Sequence, residues 1–343
     1  MKRHGDLWAK IIALDNLYDA YKAARKGKRW QRKVKTFEKN TIANILQLQV
    51  NLDNRHFTTS GYRTKKVYEP KERDIYVLPF FPDRIVQHAL LQVLIPIWDP
   101  LFIEQSYACR PGYGMHAASR KTMGYVRRYK YFLKADIRKF YPNIDHEILK
   151  QIVRKKVKCP NTLWLVDNII DSFPGGKNTP IGNYTSQWFG NLYMNELDHW
   201  VRHNKKVNAF VRYNDDFVIF SDDKKALHRL KDEIELFLAD QLKLKFSRWS
   251  IAPVAQGVDF VGYRHFRTHI LLRKSTAARV KRRLRWFPVL LDRGEIKLEQ
   301  YRSSIASTEG WLKWANTHNL VIFTQLEKLK QHERISKDYR HSA

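Results

Sequence analysis

The chain is short of acid, of cysteine and of long apolar runs. Its 343 residues hold 34 Asp and Glu against 63 Lys and Arg, a formal net charge of +29. An excess of that size points to a polyanionic partner, and nucleic acid before a membrane surface. No apolar run approaches the roughly 18–20 residues a spanning helix needs. The longest patch, Ala89 to Ile97, has the length of a core helix. The opening residues Met1-Lys2-Arg3-His4-Gly5-Asp6 lack the apolar stretch of a secretory signal, so a cytoplasmic protein with no membrane partner is expected. Cys109 and Cys159 are the only cysteines. Their spacing suits neither a metal nor a scaffold of disulfides, and both are expected as reduced thiols. The glycine-punctuated loop at 106–118 fits neither GxGxxG nor a P-loop, which excludes a nucleotide fold of those kinds. There is no zinc motif, no HNH-like cluster, no internal repeat and no low-complexity linker, and an appended endonuclease is not expected.

What the chain does contain is a globular composition, 43% hydrophobic and 13% aromatic, long enough for two or three sub-domains. The most informative stretch is Phe210-Val211-Arg212-Tyr213-Asn214-Asp215-Asp216-Phe217-Val218-Ile219-Phe220. Two apolar, aromatic and β-branched runs flank a polar turn, the pattern of a hairpin. Adjacent carboxylates at such a tip repel each other and lose water unless a cation compensates, and hard oxygen ligands select Mg²⁺.

A second acid stands in a comparable place. Tyr131 to Ile137 reads as a strand that carries Asp136 near its end, followed by a turn into a helix from about Asp145. Carboxylates from separate strands are what a two-metal phosphoryl-transfer site needs, with cations roughly 3.5–4 Å apart, so Asp136 and Asp215 are expected to bridge them. Upstream, helices are predicted over 6–26 and about 37–52 with a basic run from Arg25 to Lys35 between them. A strand pair over 65–78 has a basic tip, Lys71 and Arg73, suited to a triphosphate. Downstream come a helix over 224–242, a strand over 243–251, and a hairpin element at Gly257-Val258-Asp259-Phe260-Val261-Gly262-Tyr263. The order strand, helix, hairpin, helix, strand is a split βαβ, ferredoxin-like sheet. The last eighty residues are helical and basic, with Arg279-Val280-Lys281-Arg282-Arg283-Leu284-Arg285 suited to phosphates of a duplex.

In that order the residues resemble a reverse transcriptase: Arg73, then Arg110-Pro111-Gly112-Tyr113-Gly114, the Asp136 strand, Pro180-Ile181-Gly182, Tyr213-Asn214-Asp215-Asp216 and the Gly257–Tyr263 element. Within that family, Ile181-Gly182-Asn183-Tyr184-Thr185-Ser186-Gln187, with Pro-Ile-Gly where most members have Pro-Gln-Gly, resembles the enzymes of diversity-generating retroelements of bacteria and phages. Asn16 to Tyr21 and Gly310 to Leu320 are similar to that family too.

The resemblance implies an α+β, right-hand polymerase with fingers, a ferredoxin-like palm and a helical thumb. Its expected parts are a helical extension over 1–60, fingers with the start of the palm over 61–130, palm over 131–265 with an insertion at about 145–185, and thumb over 266–343. It implies an RNA-directed DNA polymerase that copies a template-repeat RNA into cDNA, with errors opposite adenine, for retrohoming into a variable gene. Asp136, Asp215 and Asp216 would be catalytic and would hold two Mg²⁺ (Mn²⁺ as a substitute), joined by the Ile137 carbonyl. Tyr141 would reject a ribose 2′-OH. Lys71 and Arg73 would hold the triphosphate of a dNTP, and Ile181 and Gly182 would line the pocket. Expected partners are template RNA, the cDNA/RNA duplex, dNTPs and a small basic oligomeric accessory protein, the variability determinant. The region that carries a proton-donor Lys in many reverse transcriptases has Arg248-Trp249 here, so no general acid is assigned. Alternatives remain: a retron, group II intron or phage-defence reverse transcriptase, or a non-catalytic RNA-binding protein.

Overall fold

The structure is a computed structural model, described for residues 2–68 and 72–330. The chain divides into two compact units, each made of separated segments. One holds the chain up to Gly112 with Ala135–Asn208 and Arg229–Trp249; the other holds Tyr113–Lys134, Ala209–His228 and the chain from Ser250 onward.

The first unit is mainly helical. Its centre is the helix Ile85–Trp98, whose Val86, Ala89, Leu90, Leu91, Leu94 and Trp98 are all buried. The helix Leu14–Arg25 lies against it, applying Leu17, Ala20, Tyr21 and Ala24 at helical spacing. Asn16 fixes the pair: its Nδ2 donates to the carbonyls of Ile11 and Ala89, and its Oδ1 accepts from Gln92 Nε2 at 2.7 Å. The helix predicted over 6–26 is two helices, Trp8–Ile12 and Leu14–Arg25, because Ala13 takes ψ 137° and interrupts the ladder. Likewise 37–52 resolves into the helices Arg32–Glu38 and Thr41–Asp53, so part of the basic run is itself helical. The helix Pro160–Asp171 was not anticipated. Strands β1 (Arg63–Val67) and β2 (Arg73–Val77) pair antiparallel, Val67 opposite Arg73.

A four-stranded sheet follows. Strand β3 is Tyr131–Ile137, β4 Phe210–Tyr213, β5 Asp216–Ser221 and β6 Phe246–Pro253, in the order β4-β5-β3-β6. For two strand–helix–strand halves sharing one sheet, this is the interleaved order of a split βαβ. Strand β6 starts three residues later than predicted. Lys243 sits at φ +50°, a conformation no strand continues through.

In the second unit the helix Met115–Arg128 lies along β4 and β5, with Tyr125 against Phe220 at 5.5 Å between rings. Strands β7 (Val258–Phe260), β8 (Tyr263–His265) and β9 (Ile270–Leu272) form a meander, one strand more than predicted. The helices Lys274–Asp292 and Leu298–Lys313 close a separate apolar core on Tyr263, Val280, Leu284, Tyr301, Ile305 and Leu312. In the basic heptapeptide, Val280 and Leu284 point inward while Lys281, Arg282 and Arg285 are exposed.

His265 is fully buried in this unit. Its Nδ1 lies 3.0 Å from the Val258 carbonyl and its Nε2 2.7 Å from Ser119 Oγ, which also accepts from Trp314 Nε1 at 2.8 Å. A neutral ring protonated on Nδ1 satisfies all three contacts. Burial pushes the imidazole pKa down to about 4, against weaker opposing effects of the Val258 carbonyl and Asp259.

Candidate active site

The predicted hairpin is present, with β4 and β5 paired from Phe210–Ile219 to Tyr213–Asp216 and only Asn214 and Asp215 between them. Phe210, Val211, Phe217, Val218 and Ile219 are buried, so both strands are gripped by the core right up to the tip. Asn214 takes φ +55°, which Asn tolerates better than most residues. Arg212 is fully buried and donates from Nη1 to the Asn214 carbonyl at 2.9 Å, fixing the turn from beneath. The sequence offered no signal for that role beyond a charge in an apolar run.

On β3, Leu133, Ala135 and Ile137 are buried while Lys134 and Asp136 are half-buried on the alternate face. Lys134 Nζ donates to the Asp259 carbonyl at 2.6 Å and stands 3.5 Å from Asp216 Oδ2. Asp259 in turn accepts from Arg273 Nε at 2.6 Å. Asp136 has a cation too, Arg248 Nη2 at 3.6 Å from its Oδ2. Lys134, Asp259 and Arg273 escaped the sequence reading as site neighbours, and Arg248 entered it only as the residue standing in the region of a proton donor; Lys134 and Arg248 find their carboxylates far away in the chain.

The predicted pocket residues of the first unit are joined by backbone. The short helix Phe140–Asn143 carries Tyr141, whose carbonyl accepts from Thr179 N at 3.1 Å. Two residues on, the Ile181 carbonyl accepts from Tyr76 N at 2.7 Å. That places Ile181 and Gly182 against β2, the strand that opens with exposed Arg73. Gly182 has φ +124°, and a Cβ there would stand 2.3 Å from the Tyr76 carbonyl oxygen and 3.2 Å from Ile75. Only glycine permits this approach. The ring of Tyr141 lies against Gly190 in the helix Tyr184–His199, where an added Cβ would meet it at 3.2 Å. Gly190 was another miss: a lone glycine in a helical pattern gives little warning of a packed ring. Ile181 is half-buried, and Lys71 lies outside the described residues.

Among the described residues no group of three His, Cys, Asp or Glu side chains stands gathered for a metal. The donor chemistry nonetheless fits a hard divalent ion. Asp136 and Asp216 are carboxylates, each half-buried and each already drawing a cationic side chain to within 4 Å. No helix of the described residues is long and apolar enough to cross a membrane. Cys109 is half-buried and Cys159 buried.

A split βαβ sheet with a carboxylate hairpin and an acid-bearing neighbour strand defines a class, the right-hand nucleic-acid polymerases of α+β build. The family described as "Reverse transcriptase (RNA-dependent DNA polymerase)" matches residues 65–265, more than half of the chain, and the chain belongs to it. Protein YkfC of Escherichia coli K12 is 25% identical over 253 residues, covering 59% of this chain and 66% of that protein. The group II intron-encoded protein LtrA of Lactococcus lactis subsp. cremoris is 22% identical over 258 residues, 54% of this chain and 43% of LtrA. The chain therefore spans just under two thirds of the one relative and less than half of the other. A solved structure of apo telomerase from Candida tropicalis aligns over 70% of this chain and 55% of its own, with 14% identity and a TM-score of 0.48, a likeness that carries no argument.

Proposed function

We propose that this chain is an RNA-directed DNA polymerase, and that Asp136, Asp215 and Asp216 hold two Mg²⁺ ions with the Ile137 carbonyl at their edge. The carrying observation is the family match over 65–265, which spans all three acids. When bound, the ions would activate the primer 3′-hydroxyl and stabilise charge on the transferred phosphoryl group. The protein's own residues do the rest. Arg212 and the core hold the hairpin tip, Lys134 orients Asp216, and Arg73 with Lys71 grips the incoming triphosphate. Tyr141, backed by Gly190, closes the sugar side of the pocket against a 2′-hydroxyl. In this reading, residues 1–60 are a helical extension, 61–130 fingers with the start of the palm, 131–265 palm with its insertion at about 145–185, and 266–343 thumb.

The finer reading is a diversity-generating retroelement enzyme, with a small basic accessory protein as partner and an adenine-mutagenic cDNA as product. It rests on Pro180-Ile181-Gly182 and on the way that loop is seated. The Ile181 backbone is fixed by Tyr76, while its side chain is branched and apolar and offers no hydrogen bond. Discrimination is a difference of free energies, so losing about 1–3 kcal/mol of it raises errors tenfold or more. A retron, intron or defence enzyme is the competing reading, and the intron-encoded relative is compatible with it. Primer extension on an RNA template with dNTPs and Mg²⁺ tests the activity: no product, or product untouched by Asp215→Ala, ends it. Sequencing the product separates the subtypes, since errors spread evenly over the four template bases would exclude the retroelement reading.

A further inference from the structure

Three basic side chains in the first unit have no counter-ion among the described residues. Arg84 and His88 lie one turn apart at the start of the helix Ile85–Trp98, on one face of it. Lys28, from the loop after the helix Leu14–Arg25, is close enough for its charge to be felt at His88 and for that of Arg84 to be felt at Lys28. All three are half-buried, and none has an ion pair or a side-chain hydrogen bond to an acid among the described residues. His88 stacks on Tyr184 with ring centroids 4.3 Å apart. Between Arg84 and His88 in sequence, Gln87 is 2% exposed. It accepts from Tyr184 N at 3.0 Å through Oε1, while its Nε2 donor has no partner.

This arrangement is unfavourable on its own terms. Burial lowers the pKa of Lys28, with Arg84 adding to the shift, and burial lowers that of Arg84. His88 is pushed down to about 4 by burial first, then by Lys28 and Arg84. Like charges drawn together out of water without a paired acid are destabilising until an anion arrives. Of the described acids near this segment none is paired with Lys28, Arg84 or His88, although Asp83 keeps one buried oxygen, Oδ2, without a hydrogen-bond partner. Glu38 is held by Arg25 at 2.8 Å, and Asp83 accepts from Ser60 N at 2.8 Å.

We propose that Lys28, Arg84 and His88, with the spare Gln87 donor, form a binding site for a backbone phosphate of an RNA strand. Tyr184 couples it to the Ile181-Gly182 loop: His88 stacks on a ring two residues beyond Gly182, so a phosphate held here is registered on the segment assigned to the nascent base pair. The inference rests on the reading of this chain as an RNA-copying enzyme. A chain that binds RNA but makes no cDNA would sink that reading and leave this one standing.

The test is fluorescence anisotropy of a labelled single-stranded RNA with the full chain over a salt series, alongside thermal unfolding. Lys28→Gln with Arg84→Gln should weaken RNA binding about tenfold or more at low salt. It should also flatten the plot of log affinity against log salt by about 0.7 for each phosphate that is no longer neutralised. The same double variant should unfold at a higher temperature, because it removes unpaired buried charge, and Lys28→Arg should keep the affinity. An unchanged salt slope, or a lower unfolding temperature, overturns the proposal. So does a double variant that binds RNA like the wild type but needs more dNTP or is less inhibited by pyrophosphate, since the site then holds a free phosphate compound.

Discussion

Gly182→Ala is the sharpest probe of how the pocket is built. The added Cβ would stand 2.3 Å from the Tyr76 carbonyl oxygen, a backbone atom that cannot swing away. Three effects add. Holding a non-glycine residue at φ +124° costs about 1–3 kcal/mol. Relieving the overlap moves β2 or the loop, at about 1–3 kcal/mol by analogy with overpacked cores. Either movement breaks the 2.7 Å bond from Tyr76 N to the Ile181 carbonyl, about 0.5–1.5 kcal/mol more. The sum is about 3–7 kcal/mol against the native seat, enough for the loop to leave β2 before the protein unfolds. The expected result is a dNTP KM raised tenfold or more in primer extension, with a modest fall in unfolding temperature and RNA binding unaltered. Hydrogen exchange should show β2 and 179–183 losing protection together. An alanine variant with wild-type dNTP KM and full protection of Tyr76 N–H would refute the reasoning.

Other outcomes follow from the same contacts. Asp215→Ala should lower primer extension by at least about 10³-fold with no loss of fold, judged by the unfolding transition, since positioned charge is the main catalytic term in phosphoryl transfer. Ile181→Gln should cut misincorporation opposite adenine tenfold or more in sequenced cDNA, and an unchanged error spectrum would show that Ile181 only fills space. Tyr141→Ala should admit ribonucleotides, read as rNTP incorporation relative to dNTP, while Gly190→Val should impair all nucleotides by pushing the ring forward. His265 is neutral when folded and free to charge when unfolded. Its contribution to stability should therefore be complete above about pH 6.5, fall between there and about pH 4, and level off below, by about 3 kcal/mol from this one group. His265→Gln should make that part of the pH profile of the denaturation midpoint shallower, with His88 contributing the remaining slope in the same window.

The sequence was enough for whatever depends on neighbours in the chain. Two apolar runs around a polar turn marked the hairpin in 210–220, and its closing pair Tyr213–Asp216 leaves the two-residue turn where the polar residues stand. Glycine, proline and acid placement marked the loop at 180–182 and the carboxylate on β3. Element order, strand-helix-hairpin-helix-strand, foreshadowed the sheet order β4-β5-β3-β6. It did not reveal the break at Ala13, because apolar spacing continues across a bend that only one residue's ψ creates. Nor did it reveal that Lys134 stands against Asp216 and Arg273 against Asp259, that Arg212 is a buried brace, or that Lys28 joins Arg84 and His88. Those are pairings between residues that are nearly always solvated in an average protein, and most of them stand far apart in the chain. A charge in sequence carries no address; burial and the partner it finds there are decided when the helices and strands pack.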